Sequence, residues 1–184
     1  MMHSLLTKRL ILKPLEEKDW SFILSLFSQP IIHQFEQGDL PPAMKIREQF
    51  DCALEKSNLL PLDGGIWFVI QTMDHQAIGQ LKLTCNWSET QEWELGYALS
   101  PEHWGKGFAC EAAEAALNWA FEELKVHKVL AIINAENKRS VALARKIGMI
   151  EEAHLREARI IQGQYYDEKV FAMLASDLAR SRSK

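Results

Sequence analysis

Residues 94–112 read ELGYALSPEHWGKGFACEA, and this stretch decides the fold. An apolar strand ends at a Ser-Pro turn, and a glycine-rich loop then leads directly into an alanine-rich helix. Glycine lets the backbone approach a ligand closely. The N–H groups at the start of a helix have no intrahelical partners and bind phosphate or pyrophosphate. The stretch therefore predicts a site for a phosphorylated cofactor.

The hydrophobic pattern on either side of the loop alternates between helical and strand periods. The predicted elements, in order, are a strand over 9–13, a helix from 20 that stops at Pro30, a helix introduced by Pro41-Pro42, strands over 67–71, 77–84 and 93–99, a helix over 107–124, a strand over 129–134, a helix over 140–147, and strands over 155–161 and 165–174. This order predicts a mixed α/β sheet whose early strands are antiparallel.

Length and composition limit the class of protein. We expect one domain over residues 1–184, and the net charge of -4 argues against nucleic acid as the main partner. The cysteines are far apart and no histidine pair has metal-ligand spacing, so we expect reduced thiols and no metal site. No apolar stretch approaches the ~20 residues that span a bilayer. A cytoplasmic protein without membrane attachment, monomeric or homodimeric, is the expectation.

The strand before the loop has two different faces. Trp93, Leu95, Tyr97 and Leu99 point one way, towards the predicted core, while Glu94 shares the other face with Gly96 and Ala98. That second face leaves space beside a potential base, and a glycine within a strand indicates a bulge or a close approach. The alternative is that the two small residues pack under a helix.

The helix after the loop carries an alanine stripe that lets it sit close to the sheet. Its members are Ala109, Ala112, Ala113, Ala116 and Ala120. Glu111 lies on the opposite side and is expected to face water. The stripe is a packing feature, and its value for function is that it fixes where the helix N-terminus points.

Two familiar phosphate-binding loops fit poorly. The nucleoside-triphosphatase motif is absent, and the dinucleotide motif lacks its third glycine and its β-α-β context. In contrast, Trp104-x-x-Gly107-x-Ala109 resembles the [QR]-x-x-G-x-[GA] coenzyme A loop of the GCN5-related N-acetyltransferases (GNAT), with Trp104 in place of Gln or Arg. The segments 9–15, 94–112, 137–149 and 163–177 are similar, in order, to the branch that includes the ribosomal-protein N-terminal acetyltransferases.

The resemblance implies a fold and an activity. The fold is a mixed, mostly antiparallel, twisted sheet of about six to seven strands flanked by about four helices. The activity is direct transfer of an acetyl group from acetyl-CoA to a primary amine, either a protein N-terminus or a small molecule. The sequence does not determine the acceptor, and a non-catalytic acyl-CoA-binding module on the same fold is the alternative.

The resemblance also implies roles for particular residues. Glu94 is the candidate general base and Ser140 the hydroxyl that contacts the thiol. The backbone of the strand end would pair with the pantetheine amides. The candidate cofactor-binding residues are Tyr97, Ala98, Leu99, Trp104, Gly105, Lys106, Gly107, Phe108, Ala109, Asn134, Asn137 and Ser140.

Each role has a competing interpretation. Glu94 could be a solvated strand residue, and Asn137 is a natural N-cap for the short helix that holds Ser140. Cys110 is a rival nucleophile, because a helix N-terminus lowers a thiol pKa and His103 is near in sequence.

Overall fold

A computed structural model describes residues 3–58 and 64–181. The helices are α1 (Trp20–Phe27), α2 (Ala43–Asn58), α3 (Phe108–Glu122), α4 (Lys138–Lys146) and α5 (Ala175–Ser181). The strands are β1 (Leu5–Leu6), β2 (Leu10–Pro14), β3 (Gly65–Thr72), β4 (Ala77–Trp87), β5 (Glu92–Leu99), β6 (Lys128–Asn134), β7 (Ile150–Ile161) and β8 (Gln164–Leu174).

In the described residues the strands form one eight-stranded sheet, in the order β1-β2-β3-β4-β5-β6-β8-β7. Neighbours are antiparallel, except that β5 and β6 are parallel. The predicted mixed, mostly antiparallel α/β fold is therefore confirmed. The described part of the chain has one strand and one helix more than expected, β1 and α5. A two-residue strand such as β1 is too short to show the period that identifies strands.

The sheet lies between two helical layers. On one face, α3 and α4 cover a core that includes Phe68, Trp93 and Phe171. On the other face, α1 and α2 cover a smaller cluster around Phe50 and Val69. Successive β3 residues such as Phe68 and Val69 enter different clusters, because side chains alternate across a strand. Each large, fully buried apolar side chain stabilises the fold by about 1.5–3 kcal/mol.

The parallel strands β5 and β6 pair over part of their length. Residues Glu92–Glu94 pair with Lys128–Leu130, and the strands then diverge. Beyond this point β5 stays paired with β4, and β6 stays paired with β8. The sheet therefore opens into a V-shaped gap, and Glu94 stands at its apex.

Candidate active site

The loop after β5 has the backbone shape that the sequence predicts. A 3-10 turn over Pro101–His103 follows the strand, and both Gly105 and Gly107 have left-handed backbones, with φ of 72° and 80°. Gly107 is the N-cap of α3, and within the described residues no side chain caps this helix. The first amides of α3 therefore keep their donors for an anion.

Arg9, next to β2, binds both this loop and the first turn of α3. Its Nε pairs with Glu111 Oε2 at 2.6 Å, its Nη1 donates to the carbonyl oxygen of Lys106 at 3.0 Å, and its guanidinium lies 4.7 Å from the ring centroid of Phe108. Glu111 also accepts hydrogen bonds from the Thr7 hydroxyl and from the backbone N–H of Arg9. Partial burial opposes ionisation of Glu111, but these hydrogen bonds outweigh it and hold its pKa below the ordinary value.

The expectation that Glu111 faces water is therefore wrong. Its side chain is 18% exposed and forms the ion pair with Arg9. The contact joins residues about a hundred positions apart, and the period of α3 carries no signal for it.

Trp104, the departure from the general loop motif, has a structural role. Its indole Nε1 donates to the carbonyl oxygen of Leu99 at 2.7 Å and so ties the loop to the end of β5. The guanidinium of Arg139, on α4, lies 4.9 Å from the Trp104 ring centroid. Arg139 thus places a positive charge next to Trp104, at the motif position where Arg or Gln is usual. Sequence reasoning missed Arg139.

Glu94 faces a large cleft, as predicted. The cleft has a volume of about 860 Å³, and Glu94, Gly96 and Ala98 form part of its floor. Glu94 Oε2 accepts a hydrogen bond from Asn86 Nδ2 at 3.1 Å.

The floor next to Glu94 is less open than the sequence indicates. Gly96 pairs regularly with Lys82, so there is no bulge at this position, and a Cβ on Gly96 would lie 2.6 Å from Lys82 Cε. The glycine is a close-approach position, and it makes room for a lysine side chain.

The far side of the gap carries the predicted amide and hydroxyl groups. Asn134, 5% exposed, accepts a hydrogen bond from the Glu136 N–H, while its Nδ2 has no partner among the described residues. Asn137 caps α4, because its Oδ1 accepts from the Ser140 N–H at 3.1 Å. All three predicted residues, Asn134, Asn137 and Ser140, line the cleft together with Glu94.

Tyr97 contributes more than its backbone. Its hydroxyl donates to Ser140 Oγ at 3.0 Å, which links β5 to α4 across the gap. Burial raises the pKa of Tyr97 to about 12, although the hydrogen bond with Ser140 partly opposes that rise. From the sequence, only the Tyr97 backbone is expected in the site, because its side chain shares a strand face with the core residues Trp93, Leu95 and Leu99.

Cys110 lacks the environment of an activated nucleophile. Burial raises the pKa of its thiol, the opposite of what the helix N-terminus suggests. His103 is turned to the Phe108 ring, with a centroid distance of 6.1 Å, and neither of its ring nitrogens has a hydrogen-bond partner in the described residues. The Cys–His arrangement considered from the sequence is therefore not formed.

The opposite wall of the cleft comes from α1, α2 and the segment between them. It brings Glu36, Asp39 and Glu48 to the cleft, along with Lys45. On the β7–β8 side, Arg159 pairs with the buried Glu168, and both line the same cleft.

Two further structural features concern metal and membrane. Among the residues that the structure describes, no group of three or more His, Cys, Asp or Glu side chains could hold a metal ion. Within the same residues, no helix has the length and apolar character needed to cross a membrane.

Comparisons with known proteins identify the family. Residues 9–150 match the model of the acetyltransferase (GNAT) domain. An N-acetyltransferase of Bacillus licheniformis is 27% identical over 97% of this chain and 99% of its own length. A spermidine N(1)-acetyltransferase of Vibrio cholerae is 34% identical over 59% of this chain and 63% of its own length.

A solved structure supports the same assignment. The spermidine N-acetyltransferase of Vibrio cholerae in complex with CoA and spermine superposes with a TM-score of 0.82 at 28% identity, covering 94% of this chain and 99% of that one. These findings confirm the predicted class of enzyme, an N-acetyltransferase that uses acetyl-CoA, and they do not favour the non-catalytic alternative. The chain belongs to the GNAT acetyltransferase family.

Proposed function

We propose that this enzyme acetylates a small cationic amine of the polyamine class, by direct attack of the amine on acetyl-CoA in a ternary complex. Glu94 accepts the proton of the amine, and Ser140 lies beside the sulfur. The observation that carries the proposal is the gap between β5 and β6. It brings a carboxylate at its apex together with Asn134 on its far side, whose Nδ2 has no partner among the described residues.

The residues around the gap fit the cosubstrate. A Cβ built on Gly105 meets no atom of the described residues within 4 Å, so a diphosphate can approach the loop amides closely. Asn134 Nδ2 is a buried donor without a partner in the described chain, and such a group calls for a ligand acceptor such as a pantetheine carbonyl. When bound, acetyl-CoA supplies an activated acetyl group whose leaving group is a thiol. The chain's own residues hold it and manage the protons.

Glu94 is suited to accept the proton. It stands where the strands part, at the floor of the cleft, and Asn86 Nδ2 orients its carboxylate. A general base must lie within hydrogen-bond reach of the attacking amine or reach it through one water. Glu92 is the neighbouring carboxylate that would substitute for it.

The acceptor class follows from the charge of the opposite wall. Glu36, Asp39 and Glu48 outnumber Lys45 there. All three carboxylates are exposed, and Glu36 also contacts His33 at 2.7 Å. A second ammonium on the acceptor would be attracted to this acidic wall while the first amine reacts at Glu94. The similarity to spermidine N-acetyltransferases supports the same class of acceptor.

A panel of amines tests the proposal. CoA release is measured with spermidine, spermine, a neutral-tailed monoamine and short peptides with free N-termini. We expect kcat/KM to be highest for the polyamines. A higher kcat/KM for the peptides would overturn the polyamine assignment and favour protein N-termini.

Matched variants of the acidic wall test how the acceptor is held. Glu48→Gln should raise KM for spermidine while KM for the monoamine stays unchanged, and Lys45→Gln should lower KM for spermidine. Equal effects on both substrates would contradict a role of this wall in recognising the second ammonium.

A further inference from the structure

We propose that Tyr97 is a positioning residue: it occupies one acceptor site of Ser140 Oγ and so directs the Ser140 proton to the sulfur of CoA. This inference rests on the proposed function, because it requires CoA to lie in the gap between β5 and β6. It assigns a role to a side chain that the sequence pattern places with the core.

The geometry joins three elements. The Tyr97 hydroxyl reaches Ser140 Oγ at 3.0 Å from β5. Asn137 holds the backbone N–H of Ser140 and caps α4, so the Ser140 side chain starts from a fixed position. Both Tyr97 and Ser140 line the cleft.

Each hydroxyl in the proposed arrangement donates one hydrogen bond. A serine hydroxyl has one donor and two acceptor sites. In the proposed arrangement Tyr97 donates to Ser140 Oγ across their 3.0 Å contact, so the single Ser140 proton is available to a group in the cleft. Without Tyr97, the Ser140 hydroxyl could rotate and donate elsewhere.

The surroundings keep Tyr97 protonated. Burial is the main reason why its pKa rises to about 12, and the titratable neighbour on α3 is Cys110, whose own pKa is raised by burial. The phenol that contacts Ser140 is therefore neutral, and the electrostatic effect of Cys110 also raises its pKa. Glu94 on the same strand points to the opposite face, so its charge does not compete for the hydroxyl.

This arrangement stabilises a thiolate without transferring a proton to it. In the transfer, the reacting ammonium first loses one proton to solvent. The neutral amine nitrogen then bonds to the acetyl carbon and gives its second proton to Glu94, while the carbon–sulfur bond breaks and its electron pair stays on sulfur. An ordinary thiol has a pKa of ~8.5, far below that of Tyr97. The leaving sulfur is thus held by a hydrogen bond from Ser140 and takes its proton from solvent.

The pKa of the bound CoA thiol tests this role independently of turnover. Thiolate absorbance in the ultraviolet is titrated for CoA bound to the native enzyme, Tyr97→Phe, Ser140→Ala and the double variant. We expect a lowered thiol pKa in the native complex and a loss of that lowering in Ser140→Ala. Tyr97→Phe should lose part of it, and the double variant should match Ser140→Ala.

Kinetics and binding supply the complementary readouts. Losing one oriented hydrogen bond predicts that kcat falls about 2- to 10-fold in Tyr97→Phe, with KM for the amine unchanged. Desulfo-CoA, which has no sulfur, should bind equally to all four proteins, and the exposed-tyrosine control Tyr165→Phe should behave as native.

The outcomes separate this inference from the proposed function. If CoA gives no calorimetric heat with the native enzyme, the proposed function itself fails. If CoA binds but Tyr97→Phe keeps the native thiol pKa and kcat, or if its effects add to those of Ser140→Ala, the positioning role is refuted. If Tyr97→Phe is too unstable to study, a native thiol pKa for CoA bound to Ser140→Ala would also refute the positioning role.

Discussion

Gly105→Ala, compared with Gly163→Ala, isolates the contribution of the loop backbone to cosubstrate binding. The two glycines have nearly the same left-handed backbone, with φ of 72° and 77°. At both positions a Cβ would meet no atom of the described residues within 4 Å. They differ in place, because Gly105 lies before α3 and Gly163 lies in the turn between β7 and β8.

The structure sets the size of both effects. An alanine in the left-handed region costs about 1–2 kcal/mol, and no steric clash adds to that cost at either glycine. For a chain of 184 residues this corresponds to a decrease in Tm of about 2–8 °C in both variants. A methyl group at Gly105 would also keep a diphosphate from the neighbouring amides. Losing one hydrogen bond to a charged group costs about 1.5–3 kcal/mol, so Kd for CoA should rise about 10- to 100-fold.

Thermal denaturation and isothermal titration with CoA measure the two quantities separately. Both variants should lose similar stability, and Gly105→Ala alone should lose affinity for CoA. If Gly105→Ala, still folded, binds CoA with native affinity, the loop amides do not hold the diphosphate. If Gly163→Ala weakens binding to the same extent, the effect on Gly105→Ala is a general effect of destabilisation.

Glu94→Gln should lower kcat at least about 100-fold, the lower range of general-base catalysis, with the calorimetric Kd for CoA unchanged; near-native turnover would remove Glu94 as the base. Cys110→Ala should keep full activity in the CoA-release assay, because burial raises the thiol pKa, and an inactive but folded variant would revive the covalent route. Arg139→Ala should raise Kd for CoA a few-fold and leave Tm nearly unchanged, since Arg139 is exposed; unaltered binding would show that the cation over Trp104 does not assist the cosubstrate. Glu111→Gln should be less stable than the native enzyme above pH 4.5, the ordinary pKa of the group. Because the pKa of Glu111 is lowered in the folded state, the difference in stability should vanish as the pH falls through that lowered pKa. Urea denaturation is measured across pH 3–7, a range of about four units around the ordinary carboxylate pKa. A difference in stability that stays constant over this range would contradict the prediction.

Local patterns in the sequence were sufficient for the elements that build the site. The alternation in β5 places Trp93 in the core and Glu94 in the cleft, as predicted. Four of the five alanines in the α3 stripe are buried and Ala109 is partly buried, and Asn137 caps α4. These features depend on periods of two or 3.6 residues and on a cap three residues from its partner, which short stretches of sequence reveal.

Contacts between distant segments could not be predicted in the same way. Arg9 meets Glu111, and Tyr97 meets Ser140, across separations that leave no periodic signal. Lys82 covers Gly96 because two antiparallel strands happen to pair in that register. The individual roles of the site residues, the single domain over 1–184, the cytoplasmic location and the monomeric or homodimeric state stay predictions.

The divergence of β5 from β6 has a mechanical consequence. Beyond Glu94 and Leu130, backbone pairing no longer fastens one half of the sheet to the other. A cosubstrate bound in this opening would contact both halves of the sheet and hold them together. Saturating concentrations of it would stabilise the fold in proportion to the logarithm of its concentration. Scarcity of the acyl donor would then leave the enzyme both idle and easier for proteases to open along that line.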